Sequence, residues 1–97
     1  MPDRLNLTYT SGLILQTITQ GLSYGFDIID HTGLSSGTVY PALRRLEAAG
    51  LVASLWDRKG TEKSGGPPRK YYQLTPSGQD RLRILYDRFP LLERTAQ

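Results

Sequence analysis

Residues 32–52 read TGLSSGTVYPALRRLEAAGLV, and the spacing inside that stretch decides the architecture. Val39, Leu43 and Leu46 recur at i, i+4 and i+7 with Ala42 beside them, so they share one face of a helix. Ser35 or Ser36 is placed to cap its start, Leu34 to staple it, and Gly50 to end it. The opposite arc carries Gly37, Thr38, Pro41, Arg44, Arg45 and Ala48, with Tyr40 on the flank. Pro41 deletes a backbone hydrogen bond inside such a helix. Either the first turn is irregular or the helix begins near Thr38.

Working upstream, Gly33 is the C-terminal stop of a short helix that Ser23 caps and that runs through His31, with Ile28 and Ile29 inward. Before it, Thr8 to Gln20 is periodic, with Leu13, Ile14 and Ile18 on one face and Gly21 after it. Downstream, LVASLWD (51–57) and KYYQL (70–74) read as two strands joined by a long loop, Arg58 to Arg69. Thr75-Pro76 starts a further helix, with Thr as N-cap and Pro at the first helical position. Its stripe is Leu82, Leu85, Tyr86, Phe89 and Leu92, and Pro90 is expected to kink it or end it early. The order helix, helix, helix, strand, strand, helix, with a short Gly-containing turn before the third helix, predicts a fold that is mainly α with a small β-hairpin. It is a winged helix-turn-helix of three helices, a two-stranded wing and a C-terminal dimerisation helix. Residues 1–75 form the winged unit and residues 76–97 the dimerisation element.

Composition narrows the function. The chain has 97 residues, no cysteine and one histidine, which excludes disulfides, thiolate metal sites and a two-histidine site within one chain. No cofactor or metal is expected. The start, MPDRLNLTYTSG, is unlike a signal peptide, and no apolar run approaches the ~18 residues of a membrane span, so a cytoplasmic protein is expected. The net charge of +3 is unevenly placed. Residues 44–70 hold seven basic and three acidic side chains, whereas residues 1–43 come to −2 and residues 71–97 to +1. A basic middle suits a polyanion, although a solvated basic loop has the same composition. Gly60 to Gly66 lacks the Gly-Lys-Ser/Thr ending of a phosphate loop. The carboxylates are scattered, and His31 has no nucleophile partner, so no enzyme is indicated; a surface or capping role suits His31. Asn6-Leu7-Thr8 is a chance sequon in a cytoplasmic chain.

The third helix is the candidate reader of double-stranded DNA. Small residues let its N-terminal end approach a groove floor, Thr38 and Tyr40 can donate to bases or phosphates, and Arg44 and Arg45 can reach either. Arg58, Lys59, Lys63, Arg69 and Lys70 make the loop a basic finger for the minor groove or flanking phosphates. Trp56 is expected to close the core under the wing. Tyr71 and Tyr72 fall on opposite strand faces, and Tyr24 either touches phosphate or packs on the wing. The stripe Leu82, Leu85, Tyr86, Phe89 and Leu92 exceeds what a small core can bury, so part of it is expected to face a second copy of the chain.

The runs YGFDII (24–29), TGLSSGTVYPALRRLEAAGLV (32–52), then Trp56, then GGPPRKYYQLTPSG (65–78), resemble the PadR family of bacterial transcriptional regulators over about residues 9–82. The resemblance implies a winged-helix fold, homodimers and repression by operator binding. It places Ser36, Gly37, Thr38, Tyr40 and Arg44 at the DNA and sets Arg69 and Lys70 at the wing base against the backbone. The turn after the second helix is more compact than in many members, and the region after LTPSG is short, which suits dimerisation through one C-terminal helix. Some members bind small-molecule effectors; no residue here identifies one. A winged-helix protein–protein module that never touches DNA is the rival reading, disfavoured by the basic loop and paired arginines.

Overall fold

The computed structural model describes residues 8–57 and 69–94, with side chains through Leu92. The elements are α1 (Tyr9–Thr19), α2 (Gly25–Thr32), α3 (Ser36–Ala48), β1 (Val52–Asp57), β2 (Arg69–Leu74), α4 (Pro76–Arg88) and α5 (Pro90–Arg94). Among the described residues no helix is long and apolar enough to cross a membrane. One core joins all the helices and the hairpin. Its fully buried centre is Ile14, Leu15, Ile28, Val39, Leu43 and Leu92.

The helix-turn-helix is built by two local devices. Gly33 sits at φ 77°, a left-handed conformation that favours glycine, and its N–H closes α2 on the Ile29 carbonyl at 2.9 Å. Thr32 donates to the Ile28 carbonyl at 2.7 Å while accepting from the Leu34 amide at 3.2 Å, which steers the chain into α3. Ser35 is the N-cap of α3, and its carbonyl accepts from both Thr38 and Val39 at 3.0 Å. The helix therefore starts at Ser36 with a tight first turn and continues through Pro41.

β1 and β2 pair antiparallel, with Val52 opposite Leu74, Ser54 opposite Tyr72 and Trp56 opposite Lys70. Ser23, expected to cap α2, instead gives its carbonyl to the Tyr72 amide at 2.9 Å, and Tyr24 becomes an N-cap with no side-chain cap bond. That pairing, together with a bridge between Tyr24 and Tyr71, fastens the start of α2 to the free edge of β2. Trp56 does not close the core: it is 57% exposed, and Tyr72, 6% exposed on the same strand face, fills that place. The core has already ended at Val52 and Tyr72 by the time the hairpin reaches Trp56.

Thr75 caps α4 by accepting from the Gly78 amide at 3.0 Å and donating to the Gly50 carbonyl at 2.6 Å. Pro90 ends α4 because it forces Phe89 out of helical backbone, to φ −128° and ψ 82°. The short α5 then turns back so that the buried Gln16 amide donates to the Leu92 carbonyl at 2.6 Å, and Phe89 meets Tyr9 edge to face. Leu82, Leu85 and Leu92 are consequently buried in the chain's own core, and Tyr86 and Phe89 pack partly against it. The exposed apolar side chains of this region are Ile84 and Leu91, which the helical stripe had not included.

Gly78 lies against the start of the wing so closely that a Cβ there would stand 2.0 Å from the Leu51 carbonyl oxygen, backbone that also holds the Thr75 amide. Gly78→Ala is expected to push α4 off this junction and cost about 1–3 kcal/mol, read as a lower urea midpoint with an unchanged slope.

Candidate nucleic-acid interface

The buried face of α3, Val39, Ala42, Leu43 and Leu46, leaves Ser36, Gly37, Thr38, Tyr40, Arg44 and Arg45 exposed. At the tip, Ser35 donates its hydroxyl to that of Thr38 at 3.1 Å. The Thr38 side chain is exposed, so its hydroxyl can turn to a partner outside the chain. Gly37 has open space around it, with the nearest contact to an added Cβ 3.9 Å away. Arg44 and Arg45 have no carboxylate within salt-bridge distance among the described residues.

Tyr40 is held sideways. Its ring covers Gly25, where a Cβ would meet the ring at 2.5 Å, so this position of the tyrosine ring relies on glycine there. Beside it opens a cleft of about 400 Å³ between the start of α2, the outer face of α3 and the wing. Among the described residues Tyr24, Gly25, Phe26, Tyr40, Arg44, Arg69, Lys70 and Tyr72 line it, and none of these is a carboxylate. Arg44 of α3 thus lines the same cleft as Arg69 and Lys70 of β2, a grouping that sequence spacing alone does not display.

Tyr24 sets the wing base. Its hydroxyl donates to the Asp57 carboxylate of β1, and the Arg69 guanidinium of β2 lies 4.6 Å from the centre of its ring. Asp57 and Arg69 are register partners, so one tyrosine from α2 holds both strands. Tyr71 adds a ring contact at 5.8 Å. The choice left open for Tyr24 falls to packing on the wing. At the other end of the wing's footing, Ser54 donates to the Glu47 carboxylate of α3 at 2.6 Å. Lys70 projects its ammonium 5.8 Å from the Trp56 ring and 5.9 Å from the Tyr72 ring. Arg58, Lys59 and Lys63 of the expected basic finger lie outside the described residues. Phe26, 68% exposed at the cleft, was not singled out by the sequence; its position in the first turn of α2 carries no helical or strand pattern that would mark it.

An α3 tip whose N-cap, Ser35, makes no side-chain cap bond, a basic outer helix face and a hairpin footed beside it define a winged helix-turn-helix. Residues 14–84 match the Transcriptional regulator PadR-like family. The chain belongs to that family of DNA-binding transcriptional regulators. A PadR family transcription regulator from hypervirulent Clostridium difficile R20291 has the same fold, with a TM-score of 0.75 at 31% identity over 91% of this chain and 94% of that one. A PadR family regulator from Eggerthella lenta is similar at 30% identity, TM-score 0.65, covering 89% of this chain and 80% of its own. BpsR of Bordetella bronchiseptica, whose DNA binding is regulated by 6-hydroxynicotinic acid, shares the fold with a TM-score of 0.75 at 18% identity, over 95% and 62% of the two chains. No curated protein matches the chain at comparable significance.

The hydrogen bond to Asp57 raises the Tyr24 hydroxyl above the ordinary tyrosine value, and desolvation and the Asp57 charge act in the same direction. Burial raises Tyr72 likewise, with the Glu47 charge second. A raised tyrosine favours its protonated form, so the Tyr24–Asp57 link is intact below the ordinary tyrosine range near 10 and is lost as pH rises through the raised value. In an alkaline absorbance titration, Tyr24 and Tyr72 are expected to ionise late, and Tyr24→Phe should remove one of these late steps.

Proposed function

We propose that the chain is a homodimeric repressor that binds a two-fold operator in double-stranded DNA, with α3 in the major groove and the wing base on the backbone. The observation that carries this is the cleft lined by Arg44, Arg69 and Lys70 from α3 and β2, with no carboxylate lining it among the described residues. Cations that share one cleft attract a polyanion.

Within this reading the residues divide by task. Gly37 lets the α3 tip come close to the groove floor, and the exposed hydroxyl of Thr38 is the donor nearest the base edges. Arg44 stands further along the helix, beside Lys70, where it serves phosphate. Arg45 is exposed on the same helix and adds to backbone attraction. Tyr40, fixed over Gly25, lines the cleft beside Arg44 and is assigned to the backbone with it. Residues 76–97 supply the dimer contact. Because Leu82, Leu85 and Leu92 are spent on the chain's own core, the partner face we assign is Ile84 and Leu91, with the exposed parts of Tyr86 and Phe89.

Titration of the DNA upstream of its own gene, against scrambled duplex, tests the reading. Lys70→Ala is expected to weaken both duplexes about equally and reduce the salt slope by roughly one. A salt slope left intact with altered sequence preference would overturn that role. Thr38→Ala is expected to cost on the order of 1–3 kcal/mol on the operator only. Gly37→Ala separates stability from function: it should raise stability by up to about 1 kcal/mol, as a glycine removed from a helix in open space does, and still lower DNA affinity.

A further inference from the structure

We propose that Trp56 is a DNA contact, its indole lying along the sugar–phosphate backbone beside Lys70; this inference rests on the DNA-binding reading above. Four observations lead there. Trp56 is the single tryptophan of the chain and is 57% exposed, an unusual place for the largest apolar side chain. It belongs to the strand face that also carries Ser54, which is bonded to Glu47 of α3, so the indole stands on the side of the hairpin turned toward the recognition helix. Its cross-strand partner is Lys70, and the Lys70 ammonium lies 5.8 Å from the indole and 5.9 Å from the buried Tyr72 ring. Lys70 in turn lines the cleft with Arg44.

The chemistry follows from that placement. An ammonium near two aromatic faces gives up part of its wandering and is held at one spot on the wing. A phosphate drawn to that spot brings its deoxyribose against the neighbouring indole, which offers apolar area and an N–H donor. The contact is blind to sequence, as a backbone contact is. Trp56 therefore does two things: it touches the nucleic acid, and it positions the cation that neutralises it.

Because the chain has one tryptophan, its own emission is the probe. The protein is titrated at low salt with a mixed-sequence duplex of about 20 base pairs, long enough for two half-sites one turn apart. Tryptophan emission is followed alongside the anisotropy of the labelled duplex. The expected result is an emission change that saturates with the same Kd as the anisotropy. Trp56→Ala should weaken binding by about five- to tenfold and Trp56→Phe should restore most of the loss, with both variants melting close to wild type because the side chain is exposed. Emission unmoved while anisotropy reports binding, or Trp56→Ala binding as wild type, overturns the assignment and leaves the DNA-binding reading standing. A duplex that does not bind at all overturns both.

Discussion

The burial of Val39, Leu43 and Leu46 in one core with Ile14, Leu15 and Ile28 is the constraint on which the rest of the molecule depends. A helix has only one angular freedom once its axis is set. With those three side chains inside, Thr38, Arg44 and Arg45 have nowhere to go but solvent. A fully buried leucine or valine is worth about 1.5–3 kcal/mol, so turning α3 to hide its arginines would forfeit most of what stabilises a domain this small. The charged face is thus held out by the core.

The wing depends on the same constraint through longer-range ties. Ser54 binds Glu47 near the end of α3, and Tyr24 binds Asp57 and stacks on Arg69 at the base of the hairpin. A two-stranded hairpin alone is marginal in water. Here a third segment, Ser23–Tyr24, pairs along β2 and makes the hairpin part of a larger structure. Arg69 and Lys70 reach the cleft near Arg44 because of those ties. Arg44, Arg69 and Lys70 share one cleft only because α2 has fixed where the wing stands.

What could be read in the sequence was what repeats or terminates. The 3.6 period of α3, the stop at Gly33 and the Thr75-Pro76 start are local signals, and the structure carries each of them out. The family resemblance extended that reading over most of the chain. The misplacements all involve a choice made by distant parts of the fold. Ser23 had the right chemistry to cap α2, but β2 claimed its carbonyl. Trp56 had the right bulk to close the core, but Tyr72, opposite Ser54, sits two residues nearer to it on the same face. Phe26 carries no periodic signal and Tyr24 left two readings open, and the closeness of α2 to the wing gives both a place at the cleft.

The C-terminal helices show how a stripe can be read correctly and assigned too generously. Leu82, Leu85 and Leu92 do lie on one side of the region, but they are buried in the chain's own core, with Leu85 and Leu92 against Gly12 of α1. Pro90 is what makes the covering complete. By breaking α4 at Phe89 it turns Leu92 back over Gly12, so close that a Cβ there would meet the leucine at 2.5 Å, and it brings the Leu92 carbonyl to the buried Gln16 amide. An unbroken α4 would carry Leu92 away from α1 and leave that amide to find another acceptor. The proline that interrupts the helix therefore serves the chain's own core.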